Sequence, residues 1–119
     1  MEDQRAQQEA YICRLLEAYR QTPGTTGSIR RPDRLLAAQL YQRGVPLPAV
    51  ENALVLAAAR RMMRPADALP LGTIQSLAYF VPVIEEVLSR PMSPGYFEHI
   101  RRKIQRFVQA RPSVGPADR

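Results

Sequence analysis

Apolar positions recur at helical spacing inside segments that prolines and glycines separate, a pattern that predicts helices joined by short breaks. Ile12, Leu15, Leu16 and Tyr19 repeat this way between about Gln4 and Arg20, with Glu9, Arg14, Glu17 and Arg20 on the other faces, and predict the first helix. The stretch from Thr22 to Ser28 holds a proline, two glycines and several hydroxyl residues. It is expected to be a mobile loop with no side chain to bury. Pro32 suits the first turn of a second helix, lined by Leu36, Leu40 and Tyr41 and ending at Gly44.

After the break Gly44–Leu47, Pro48 opens a third helix that runs to about Met63. From Ala53 to Ala59 it is apolar on every face, so it is expected to be the buried centre. Pro65 to Gly72 reads as a connection, and Thr73 as the cap of a fourth helix carrying Ile74, Leu77, Ala78, Val81, Ile84 and Leu88. Pro82 falls inside that pattern and predicts either a kink or two short helices. Ser93 followed by Pro94 starts a last helix with Phe97, Ile100, Ile104, Phe107 and Val108 on one side, reaching about Ala110. No segment alternates with period two. The expected fold is all-α, a single compact bundle of about five helices over residues 1–111, with residues 112–119 a flexible tail.

Composition agrees with that picture. A chain of 119 residues, 45% hydrophobic and 24% charged, has room for one folded domain. Its one cysteine, Cys13, excludes an internal disulfide, and with one histidine, His99, a four-ligand zinc site is excluded too. The polar start and the lack of a run long enough to span a bilayer point to the cytoplasm and to no membrane role.

Candidate catalytic chemistry is sparse. Cys13 shares the register of Ile12 and Leu16 and is expected to be a small buried thiol, with His99 a surface imidazole. Glu85 and Glu86 point about 100° apart on a helix, which makes them a solvated face rather than an acid–base pair. Phosphate-cradling glycine loops and metal-binding histidine pairs are missing from the sequence. No enzyme activity, cofactor or metal is expected.

The charge is the remaining lead. The net charge is +6, and every basic residue except Lys103 is an arginine. Three clusters carry most of it: Arg30, Arg31 and Arg34; Arg60, Arg61 and Arg64; and Arg101, Arg102, Lys103 and Arg106. Arginines at a helix C-terminus stabilise the helix dipole, and a basic row opposite Ile100 and Ile104 is ordinary for a surface helix. The planar guanidinium also suits phosphate oxygens, so clusters that converge would track a nucleic-acid backbone, DNA or RNA. Residues 34–61 have the outline of a helix-turn-helix, yet only Glu51 and Asn52 are polar near the start of its second helix. Backbone contact rather than base reading is therefore expected.

The stretches Arg31–Leu47, Val50–Leu54 and Ser76–Glu86, hydrophobic spacings around the turn Arg43-Gly44-Val45-Pro46, resemble small helical proteins of bacterial mobile elements. They are also similar to helical domains of plasmid and phage replication initiators. The resemblance covers about residues 30–88 and implies an accessory role beside a recombinase, a transposase or a replication machine. The other function class is a protein adapter or regulatory subunit without nucleic-acid contact. For it the sequence offers Tyr79, Phe80, Val83 and Val87, a second apolar stripe on the fourth segment that would bind a larger partner or a second copy.

Overall fold

The computed structural model of the protein describes residues 2–65, 67–90 and 93–110. Its five α-helices are α1 (Glu2–Gln21), α2 (Arg31–Gln42), α3 (Leu47–Met62), α4 (Val81–Ser89) and α5 (Pro94–Ala110), with a short 3-10 turn, Leu77–Phe80, leading into α4. There is no strand among the described residues, so the all-α bundle is the fold. The tail at 112–119 and the side chains of Phe107 and Val108 lie outside the described residues.

Helices α1 and α2 form an antiparallel hairpin. Tyr11 packs edge-on against Tyr41 at 5.2 Å between ring centres, and its hydroxyl donates to the Val45 carbonyl at 2.8 Å. Gly44 stops α2 with φ near +77°, a left-handed conformation that favours glycine. There the Gly44 and Val45 amides close onto the Tyr41 and Leu40 carbonyls. Helix α3 then packs against α1, α4, α5 and the 3-10 turn. Seven of its residues are buried, Val50, Ala53, Leu54, Leu56, Ala57, Ala58 and Ala59, which makes it the central helix that its apolar run predicts. Small side chains on several faces allow neighbours close approach, while Leu15, Tyr19, Leu40, Leu77, Phe80 and Ile84 fill the space around them.

Two segments depart from expectation in part. The fourth is two short helices that meet beside Pro82, as that proline predicts, but they start at Leu77 and not after a cap at Thr73. Residues 73–76 run extended, and Ile74 forms a single parallel bridge with Thr25. Helix α4 begins at Val81, so Pro82 sits in its first turn, where its missing N–H leaves no bond unmade. Burying Ile74 and Leu77 drives this, since an extended approach carries both inward. The Thr22–Ser28 loop is likewise pinned rather than free. Thr22 is buried, the Thr26 amide donates to the Ile74 carbonyl at 3.1 Å, and the Ile74 amide donates to the Gly24 carbonyl at 2.8 Å.

Asp33 fixes the same region from the other side. It is 1% exposed, and its two carboxylate oxygens accept the Arg30 amide at the start of α2 and the Leu77 amide of the 3-10 turn, both at 2.9 Å. A carboxylate at a helix N-terminus also complements the helix dipole. Tyr19 lies close by, fully buried, with its ring edge-on to Phe80 at 6.0 Å. Burial, and next the Asp33 carboxylate, push its phenol above the usual range. The Tyr19 hydroxyl has no hydrogen-bond partner among the described residues. Tyr19→Phe should therefore be neutral or stabilise by up to about 1 kcal/mol in denaturant unfolding, because it removes a buried polar group that gains no hydrogen bond. A loss above about 1 kcal/mol would show that the hydroxyl is satisfied in solution.

Candidate functional site

The three basic clusters have different fates. Arg60 is tied to α4, its Nη1 and Nη2 donating to Glu86 at 2.8 and 2.6 Å. Arg43, at the end of α2, does the same to Glu85 at 2.9 and 3.4 Å. The adjacent carboxylates thus lie on a solvated face, as expected, but each is paired: their angular separation lets one reach the end of α2 and the other α3. Hydrogen bonds from Arg60, with its charge behind them, hold the Glu86 carboxyl below its ordinary range against a smaller opposing effect of burial. A depressed carboxyl contributes stability above its unfolded pKa and loses it as pH falls through the folded value. Thermal melts from neutral to acidic pH should show a small acid loss that Glu86→Gln diminishes; an identical pH profile in the variant would mean the pair is not formed in solution.

Arg61 is held by three elements. Its Nη1 donates to the Tyr79 hydroxyl at 3.1 Å and its Nη2 to the Gly72 carbonyl at 2.7 Å, while its guanidinium lies 5.6 Å from the centre of the Tyr79 ring. That is a cation–π distance. Gly24 completes the seat: its φ is +95°, and a Cβ there would come within 3.1 Å of Arg61 Nε. Arg64 is exposed and donates to the Leu69 carbonyl at 2.8 Å. Arg30 reaches the same extended segment further on, its Nη2 donating to Gln75 Oε1 at 3.3 Å. The side chains of Arg31 and Arg34 are exposed and make no hydrogen bond or ion pair among the described residues. Gly72 and Gln75 are three residues apart in extended chain, about 10 Å. One short segment therefore tethers two of the clusters to a common side of the molecule.

The third cluster lies elsewhere. Arg101 Nη2 donates to Asn52 Oδ1 at 3.1 Å, and Arg102 approaches Glu98 at 3.8 Å, while Lys103 and Arg106 are exposed. Asn52 and Arg61 are separated by about 14 Å along α3, so α5 carries a separate basic surface. The bond to Arg101 also commits the side chain that a base-reading helix would need. The groove beside this surface, between the end of α1 and α5, is floored by Leu54, Val55 and Ala58 and holds about 220 Å³.

Tyr79, Phe80, Val83 and Val87 do not form one exposed stripe. Phe80 and Val87 belong to the core, since the 3-10 turn and α4 direct them inward. Tyr79, 45% exposed, and the half-buried Val83 instead line a groove of about 430 Å³ together with Arg60, Arg61, Arg64 and Leu71. The arginine cluster and the surviving half of the apolar stripe thus share one site. A second hollow, about 310 Å³, continues past Arg61, Arg64 and Leu71 to Pro65, Leu69 and Pro70. Leu69, Leu71, Gly72 and Gln75 were not candidates from the sequence, although bulky apolar residues between prolines and beside arginines signal an exposed contact.

Other expectations resolve simply. Cys13 is exposed rather than buried, because it falls between the inward rows of Ile12 and Leu16 on α1, and His99 is exposed on α5. Among the described residues no three histidine, cysteine, aspartate or glutamate side chains group to hold a metal ion. No described helix is long and apolar enough to cross a membrane. Compared with protein-family models, with curated proteins and with solved structures, the chain matches none.

Proposed function

We propose that the protein is a non-catalytic, cytoplasmic accessory protein that contacts nucleic-acid phosphates while docking on a larger recombination or replication partner, as its resemblance to bacterial mobile-element proteins implies. One observation carries the phosphate contact: Arg30 and Arg61, one from each of two basic clusters, donate to the same short segment at Gln75 and Gly72, so that Arg31, Arg34 and Arg64 lie in clusters anchored to one side. Guanidiniums that donate to carbonyls, as Arg61 and Arg64 do, keep their charge and their remaining donors. The Arg31 and Arg34 side chains are uncommitted among the described residues, and a phosphate backbone gives all four guanidiniums a counter-charge.

Fluorescence anisotropy with labelled DNA and RNA across a salt series tests the reading. Four phosphate contacts predict a log–log slope of about −3, and Arg31→Gln or Arg34→Gln should each lower its magnitude by about one. Lys103→Gln, on the separate α5 surface, should leave it unchanged. No binding at low salt would discard the proposal in favour of a protein adapter, the reading that the exposed Leu69, Leu71 and Met63 support.

A further inference from the structure

Beyond phosphate contact, we infer that the groove at the end of α3 is a subsite for single-stranded nucleic acid, in which an unstacked base packs against Tyr79 while Arg64 holds the neighbouring phosphate. The inference rests on the nucleic-acid reading above and deepens it. Its basis is the arrangement of an aromatic wall, a fixed cation and a freer cation in one concavity. Tyr79 is the exposed ring of the groove, and it is immobilised: Phe80 packs edge-on to it at 5.2 Å, and Arg61 bonds its hydroxyl and lies over its face. Arg61 is itself fixed to Gly72. Ring and guanidinium are thus pre-organised, so little side-chain entropy remains to be lost when a base arrives.

The surroundings suit a base followed by a phosphate. Ala57, Leu71 and Val83 supply apolar walls beside Tyr79, and at about 430 Å³ the hollow falls within the usual size range of small-ligand sites. Arg64, shared with the adjoining hollow, stands where the chain leaves the first one. Among the described residues one of its donors goes to protein, to the Leu69 carbonyl, and the others remain for a phosphate oxygen. Pro65, Leu69 and Pro70 then offer a second apolar wall for the next base. A duplex cannot use this arrangement, because its bases are stacked inside it and its convex backbone does not enter a hollow. Stacking on a protein aromatic requires splayed-out bases.

The decisive experiment compares three labelled probes of about twelve units by anisotropy on the full chain: a thymidine oligomer, an abasic strand with the same phosphates, and a duplex. The thymidine strand should bind about tenfold more tightly than the abasic one. Tyr79→Ala should abolish that advantage, Tyr79→Phe should keep it, and Arg64→Gln should weaken both strands and lower the salt slope by about one. Circular dichroism of each variant establishes that it is folded; the exposed Arg64 keeps the test decisive if Tyr79→Ala unfolds. Equal binding of thymidine and abasic strands, or tighter binding of the duplex, overturns the subsite and leaves phosphate contact standing. No nucleic-acid binding at low salt overturns both. If instead a labelled glutamate- and leucine-rich peptide binds in a Tyr79-dependent way, the groove is a protein-docking site and the inference is wrong.

Discussion

Asp33→Ala is expected to destabilise the protein by about 3–5 kcal/mol in urea unfolding, the largest effect of any exposed or buried charge in the chain. The carboxylate is buried and accepts two backbone amides that belong to different elements, Arg30 at the start of α2 and Leu77 in the 3-10 turn. Alanine leaves the buried Leu77 N–H and the part-buried Arg30 N–H without their acceptor and uncaps α2. The loss should extend beyond stability. The 72–77 segment carries the tethers of Arg61 and Arg30, so a variant still folded at low temperature should show faster amide exchange at Ile74 and Leu77. Asp33→Asn retains one acceptor oxygen but turns an amide donor towards the other N–H, and should cost about 2 kcal/mol. A loss below about 1 kcal/mol for Asp33→Ala would mean that the latch is open in solution.

Phe80→Ala should cost a further about 3–5 kcal/mol relative to the wild type, measured the same way. Phe80 is fully buried between the Tyr19 and Tyr79 rings, and truncation leaves a cavity that the neighbouring rigid turn cannot close. Phe80→Glu should not fold, since an unpaired carboxylate there lacks water and a counter-ion. The adjacent Tyr79 gives the contrast. Being nearly half exposed, it should tolerate alanine at a cost of about 1 kcal/mol. Equal losses at the two positions would contradict the split that the 3-10 turn makes between an inward and an outward aromatic.

That split marks where the sequence ceases to be readable. The helices α1, α2, α3 and α5 follow from helical apolar spacing and from Pro32, Gly44, Pro48 and Ser93 at their ends, all of which act locally. The central position of α3 follows from its apolar run, because such a helix has no face for water. Residues 73–80 do not follow the same logic. Ile74, Leu77, Val81 and Ile84 fit a helix as spacing, but the Asp33 carboxylate and the Gly24 carbonyl draw the Leu77 and Ile74 amides into long-range bonds. Those partners are 44 and 50 residues distant, and no local pattern reveals them. The candidate site shows the same division. The three arginine clusters are plain in the sequence, whereas their sorting depends on which carboxylate or carbonyl lies opposite. Glu86 takes Arg60, Asn52 takes Arg101, and Gly72 takes Arg61. Cys13 fell one position outside the buried row of α1, a distinction finer than apolar spacing resolves.

The central claim is that the arginines of α2 and of the end of α3 act on one face around the Gly72–Gln75 segment. Its most direct test is an amide and arginine side-chain NMR titration of the labelled protein with a short thymidine strand. Shifts should concentrate at Arg31, Arg34, Arg61, Arg64, Leu71 and Tyr79, and leave Lys103 and Arg106 in place. Shifts confined to α5, or none at a concentration where anisotropy saturates, would contradict it.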